Sequence, residues 1–347
     1  MTTFEDFVRL EPREVPLGGP RGMTVHRTLP ARRTSLIGAW CFVDHFGPDD
    51  VTATDGMRVA RHPHTGLATV SWLFEGAITH RDSLGSHALV RPGDLDLMVA
   101  GPGITHSEYS ALDTTVLHGV QLWYALPDRA RFGAREFTVH TPGEVRTGTA
   151  RARVGLGALH AADGDGAVLE DASPVTTATA LGMVQLDLRA GSTLRLALDP
   201  GHEHGLLVDR GAAQLRAGER ESPVAARELM VLPDGADRLE IVAGAGEDLR
   251  VILLSGEPLG EDIVMWWNFV GRSHEEIAAF RARYQAEIDV ELPLAEAPIA
   301  AIARERGGLA EDAEQFGPFA PHTPAALPAP ALPNGRLRSR GRRGLPV

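Results

Sequence analysis

The chain has no lysine. All 34 of its basic residues are arginine, and they face 46 acidic residues for a formal net charge of -12. So acidic a protein repels nucleic acid and anionic membrane unless it carries a separate basic patch. The one basic cluster is Arg336, Arg338, Arg340, Arg342 and Arg343, and no direct nucleic-acid partner is expected. Cysteine is nearly absent as well. Cys41 stands alone, which excludes an internal disulfide framework and a cysteine-based zinc site. There is no apolar run long enough for a transmembrane helix. The first residues, Met1-Thr2-Thr3-Phe4-Glu5-Asp6, lack the basic patch and apolar stretch of a secretory signal. A cytoplasmic monomer without membrane association is the expectation. Its 347 residues, 43% of them hydrophobic, are enough for two cored domains and a tail.

Most of the chain reads as strands and turns. Thr69-Val70-Ser71-Trp72-Leu73-Phe74 alternates and stops at Glu75-Gly76. Pro92-Gly93-Asp94 is a tight-turn signal before Asp94 to Val99, which Gly101-Pro102-Gly103 closes. Val116 to Leu126 is strand-like up to Pro127. A second series covers Leu181 to Leu188, Thr193 to Leu198, Gly205 to Val208 and Arg250 to Leu254. Short strands at this spacing indicate barrels or sandwiches. The expected organisation is a first barrel over 1–143, a variable linker over 144–172 and a second barrel over 173–291. An Ala/Pro-rich tail follows over 292–347. One helix is marked by the capping box Ser273-His274-Glu275-Glu276, followed by Ile277, Phe280, Tyr284 and Ile288 at helical spacing. The tail, with Pro318, Pro321, Pro324, Pro328, Pro330 and Pro333, is either disordered or an extended strap.

Two histidine patterns carry the chemistry: His62-Pro63-His64 and His106-Ser107-Glu108. Residues i and i+2 of a strand point to the same face. Each pattern therefore offers two ligand-type side chains to one side of a sheet, and Pro63 keeps His62 extended. Brought together, His62, His64, His106 and Glu108 would surround one metal ion and leave positions open for substrate and dioxygen. This donor set alone admits iron, nickel, copper, cobalt, manganese or zinc. Other histidines, among them His45, His80, His87 and His118, are expected to be structural, as are Asp82 and Glu75. His202-Glu203-His204 repeats the spacing in the second half. No histidine occurs between His204 and His274 to complete a site there.

The segments Val43-Asp44-His45-Phe46-Gly47-Pro48, His62-Pro63-His64-Thr65-Gly66, His80-Arg81-Asp82-Ser83 and Gly101-Pro102-Gly103-Ile104-Thr105-His106-Ser107-Glu108 resemble those of pirins. So do Gly119-Val120-Gln121-Leu122-Trp123 and Val264-Met265-Trp266-Trp267-Asn268-Phe269-Val270. Pirins are bicupins of the cupin superfamily, and the likeness runs from about residue 20 to 290. It implies an all-β fold of two cupin (jelly-roll β-barrel) domains, with a short C-terminal helix and an extended Pro-rich tail. It also implies one metal, usually Fe(II), on His62, His64, His106 and Glu108, and a metal-free second barrel. The implied activity is that of a quercetin 2,3-dioxygenase, an oxidoreductase acting on a small aromatic flavonol and dioxygen, with Glu108 as ligand and base. The alternative implied by the same resemblance is an iron-containing redox sensor. Such a protein binds a transcription factor or a metabolic enzyme without turnover.

Overall fold

A computed structural model describes residues 4–17, 23–52, 56–289, 314–318 and 325–342. Two β-barrels stand side by side, each built of two sheets. In the first barrel a seven-stranded sheet runs in the order Glu136–His140, Leu95–Val99, Leu67–Glu75, Val116–Ala125, Trp40–Asp50, Thr24–Leu29 and Arg13–Pro16. A four-stranded sheet of Arg58–His64, Ile104–Ser110, Ile78–Asp82 and His87–Val90 faces it. Pairing within these sheets is antiparallel. The two cupin-type barrels expected from the sequence are therefore present.

The second barrel has a seven-stranded sheet centred on Leu181–Leu188, Leu249–Gly256 and Glu203–Arg210, and a six-stranded sheet opposite. The stretch 144–172 contributes to both sheets and does not behave as a linker. Ala150–Leu156 pairs with Leu181–Leu188, and Ala158–Asp163 pairs with Val168–Ala172 and Thr193–Ala197. Val154, Leu159, Ala161 and Leu169 fill the second barrel's core. Their small apolar residues alternate weakly between Gly- and Asp-rich turns, so the strand pattern is faint in sequence.

The barrels share a core. The strand faces of Leu67–Glu75 and Val116–Ala125 send Val70, Trp72, Val120, Leu122 and Tyr124 outward from the first barrel. These residues pack in one cluster with Met183, Leu207, Leu229, Ile252 and Leu254 of the second. The opposite parity of the same strands, Ser71, Gln121 and Trp123, turns into the first barrel. Period-2 alternation thus assigns one face to the seam and one to the site.

Both ends of the chain cross the seam. Val8–Leu10 pairs with Leu229–Val231 of the second barrel. In the other direction, the segment after the second barrel returns to the first. The bridge Thr65–Phe269 and the 3.0 Å hydrogen bond from Val270 N to Thr65 O hold it there. Gly66 (φ 65°) allows this approach, since a Cβ there would stand 2.3 Å from Val270 O. The capped helix is present as His274–Glu287, with the Ser273 hydroxyl accepting from Glu276 N at 3.1 Å. The glutamate of the box reaches one residue further back than expected. Glu276 accepts from Arg272 N at 2.6 Å and pairs with the buried Arg131 of the first barrel at 2.9 Å.

Of the two readings of the tail, the described part is a strap. Leu327 N donates to Arg61 O at 2.7 Å, and Tyr284 Oη donates to Leu327 O at 2.8 Å. Further on, Arg340 bridges to Ile263, and Arg342 pairs with Glu203 and Asp234. The expected basic cluster is thus partly spent on internal ion pairs. Pro321 and Pro324 lie outside the described residues.

Glu203 joins three parts of the molecule. Its carboxylate accepts from Gly38 N at 2.7 Å and meets Arg342 Nε at 2.9 Å. Burial pushes its pKa up to about 7, against the opposing pull of Arg342. Between the ordinary glutamate value and 7, the unfolded chain has released the proton and the folded chain still holds it. Stability contributed by the protonated form is complete below that window and is lost as pH rises through it. Glu203→Gln is expected to flatten this decline, so the variant gains relative to the parent between pH 5 and pH 8. Urea midpoints at the two pH values measure the change; equal differences at both would refute it.

Candidate metal centre

The strand Arg58–His64 lies at the edge of the four-stranded sheet, where Pro63 removes no needed ladder bond. It pairs with Ile104–Ser110 so that His106 faces His62, and Ile104 faces His64. The register then shifts between His106 and Glu108, a bulge that re-aims the side chains beyond it. On the other side of the same strand, Glu108 faces His80.

This register brings the three expected imidazoles together. Ring centroids are 4.4 Å apart for His62 and His106, and 4.9 Å for His64 with either neighbour. His64 Nε2 and His106 Nε2 are separated by 3.0 Å. Ligand atoms of His62, His64 and His106 all lie within 4.8 Å of one another. Glu108 lines the same cavity but groups within that distance with His106 and His80. His106 is therefore common to both clusters. His62 Nδ1 lies 2.9 Å from Ala60 O; donating there fixes the tautomer that turns the Nε2 lone pair inward.

Electrostatics favour a cation. Burial lowers the pKa of His62 to about 4 and holds those of His64 and His106 well below the ordinary histidine value. All three rings are neutral donors at physiological pH. Burial raises the pKa of Glu108. Three neutral imidazoles crowded around one point, with an acid beside them, fit a divalent metal ion.

Several site residues carried no motif in sequence. Ser71 Oγ lies 2.9 Å from Glu108 Oε1 and 2.8 Å from Gln121 Oε1, so its single proton serves one oxygen at a time. His80, expected to be structural, sits against the site. Its Nε2 is 3.3 Å from Asp82 Oδ2 and its Nδ1 is 3.6 Å from Asp96 Oδ2. Burial alone would lower the His80 pKa, but Asp96, Asp82 and Glu108 together raise it. Asp82 also caps its own turn, accepting from Leu84 N and Ser86 N. The remaining residues fall elsewhere. His45 and His118 lie at the seam with Asp209, His87 is exposed and Glu75 ends its strand in solvent. His204 Nε2 is 2.9 Å from Asp199 O, a backbone partner in place of a second histidine pair.

His62, His64, His106 and Glu108 line a cavity of about 570 Å³. Phe42 and Trp123 stack in its wall at 3.9 Å between centroids. Trp267, Leu327 and Pro328 close it from the returning segment and the strap. Arg13, Arg27 and Arg340 lend it positive charge, with Arg27 held on Asp44 by two bonds of 2.7 and 2.8 Å.

A double cupin with a buried three-histidine centre in its first barrel is the class these features define. The pirin family model matches residues 22–124, and that of the pirin C-terminal cupin domain matches residues 183–288. The chain belongs to the pirin family. A Pseudomonas aeruginosa protein provisionally named a quercetin 2,3-dioxygenase is 41% identical over 270 residues, covering 78% of this chain and 81% of its own. A pirin-like protein of Caulobacter vibrioides is 34% identical over 273 residues, covering 76% and 88%. The crystal structure of a quercetin 2,3-dioxygenase from Acinetobacter baumannii superposes with a TM-score of 0.77 at 32% identity, covering 96% of this chain and 98% of that one. A bacterial pirin from Escherichia coli in complex with nickel(II) shares the fold, with a TM-score of 0.52 at 15% identity, covering 73% and 99%.

Proposed function

We propose that this pirin is a metal-dependent dioxygenase of the quercetin 2,3-dioxygenase type. It would open a flavonol with dioxygen and release carbon monoxide. The observation that carries the reading is the aromatic-walled cavity ending on three neutral imidazoles and a carboxyl. Its volume suits a flavonol-sized ligand, and the relatives named for the same reaction support it.

His62, His64, His106 and Glu108 would hold the ion, Fe(II) being the one the family resemblance favours. When bound, the ion supplies a Lewis-acidic anchor for an ionised substrate oxygen and for dioxygen. The chain's own residues do the rest. Glu108, with its pKa raised by burial, is better matched than an ordinary glutamate to accept the 3-hydroxyl proton. Ser71 can turn its hydroxyl toward Gln121 when Glu108 gains that proton, which keeps both states hydrogen-bonded. Phe42, Trp123 and Trp267 line the walls against which flat rings pack. Arg340 and its neighbours favour an anion, and Leu327 and Pro328 of the strap add apolar lining. Holding the substrate in place converts an encounter into a positioned reaction.

Anaerobic addition of quercetin to the metal-loaded protein, followed by oxygen, tests this. Flavonol absorbance should fall with matching release of carbon monoxide, and Glu108→Gln should slow the loss by about 100-fold or more. A flavonol left intact by fully loaded protein overturns the proposal and leaves redox-dependent binding of a protein partner as the reading to pursue.

A further inference from the structure

The seam between the barrels holds a second constellation of ligand-type side chains. His45, on Trp40–Asp50, and His118, on Val116–Ala125, face away from the first barrel's cavity toward Asp209, on Glu203–Arg210 of the second barrel. His45 Nε2 and His118 Nε2 lie 2.7 and 2.5 Å from the same oxygen, Asp209 Oδ1, and 3.4 Å from each other. All three residues are buried, with relative exposures of 1%, 8% and 6%.

We propose that His45, His118 and Asp209 form a second divalent transition-metal site, which ties the two barrels together. Two imidazoles and one carboxylate are a donor set for zinc and related ions. Around a four-coordinate ion with bonds of about 2.0–2.1 Å, neighbouring donors stand roughly 3.3 Å apart. The two rings already stand that far apart, while Asp209 Oδ1 sits within hydrogen-bond distance of both and would retreat by about 0.6–0.8 Å to admit the ion.

The backbone is bent to make this triangle. Val116–Ala125 changes register at His118 against both its neighbours, and Glu203–Arg210 changes register around Asp209. Two of the three donors thus sit at bulges, the device that also separates His106 from Glu108 in the first centre. Gly47, two residues after His45, has φ 78°, and a Cβ on it would stand 2.1 Å from Leu117 O. Only glycine lets these strands come so close beside His118.

The charge is also suitable. Arg250 stands 3.5 Å from Asp209 Oδ2 and 2.9 Å from Asp187 Oδ1. The carboxylates of Asp209 and Asp187 outnumber the one guanidinium between them by one charge. A divalent cation offsets it. Burial would raise the Asp209 pKa, yet the two imidazoles outweigh it and keep the carboxyl well below its ordinary range. Asp209 Oδ1 accepts from Nε2 of both rings, so an ion entering the site would replace these two Nε2 protons and leave each ring protonated on Nδ1. The His118 side chain retains 10% exposure, which leaves an approach for the ion and for a water ligand.

The test is metal stoichiometry in the full-length protein, loaded with zinc or cobalt alone and passed through a desalting column. The parent should retain two equivalents. Asp209→Asn should retain one, as should His106→Ala, and the double variant none. Cobalt absorption in the visible should split into two components, one lost with each variant. His118→Gln asks the same question at a less buried position should Asp209→Asn fail to fold. A parent with one equivalent, unchanged by Asp209→Asn or His118→Gln, overturns the seam site. A His106→Ala protein that still holds two equivalents contradicts the first centre instead, so the two failures are distinct.

Discussion

Replacing His106 by alanine is expected to empty the first barrel's metal centre and abolish flavonol turnover. His106 is the residue shared by the imidazole trio and by the His80–Glu108 pair. Its Nε2 is 3.0 Å from that of His64, and its strand carries Glu108 as well. Removing it leaves two imidazoles on the edge strand and a carboxyl beyond the bulge. Retained metal at the first centre should fall at least about 10- to 100-fold, a lower bound set by losses seen for residues that only support a ligand. Turnover should fall to background, and added metal should restore little of it. Metal analysis after desalting and a flavonol absorbance assay read both effects. His80→Ala provides the contrast, because His80 touches the site while the trio remains intact.

The largest loss of stability is expected for Trp72→Ala. Trp72 has no solvent exposure and belongs to the core shared by both barrels. Its Nε1 donates to Gln185 Oε1 across the seam at 2.7 Å. A buried tryptophan replaced by alanine costs about 3–5 kcal/mol, and the orphaned Gln185 oxygen adds about 1 kcal/mol or more. The urea midpoint should fall accordingly. Because the same strand bears Ser71 on its other face, turnover should suffer as well. A change below about 1 kcal/mol would mean that the barrels do not depend on one another for their core.

The first barrel was the more legible half of this fold. Its strands carry Val, Trp, Phe and Leu in period-2 alternation, and its turns are marked by Gly76, Pro92-Gly93 and Gly101. The His-x-His and His-x-Glu spacing told which side chains share a face, and the pairing of His62 with His106 brings those faces together. The stretch 144–172 was missed as structure because its core residues are mostly alanine and isolated leucine, which mark a strand only weakly. The exchange of chain ends across the seam left no local trace. Val8–Leu10 looks like any short strand, and its pairing with Leu229–Val231 is fixed by the tertiary fold.

The same limit applies to the site. Ser71 and His80 meet Glu108, and Gln121 meets Ser71, from three strands separated in sequence, so spacing along the chain could not join them. Parity could have helped with two of them. Once Val70, Trp72, Val120 and Leu122 are taken as one face, Ser71 and Gln121 must lie on the other. His45 and His118, read as structural histidines, are buried as expected. Spacing could not give their shared partner, because Asp209 lies 91 residues beyond His118 in the other barrel.

The central claim is that four side chains of the first barrel hold one metal ion, and crystallography at the metal's absorption edge tests it most directly. An anomalous difference peak is expected about 2.0–2.2 Å from Nε2 of His62, His64 and His106 and from a carboxylate oxygen of Glu108. Crystals of metal-loaded protein with no peak among these residues, or with the three rings turned away from it, would contradict the account.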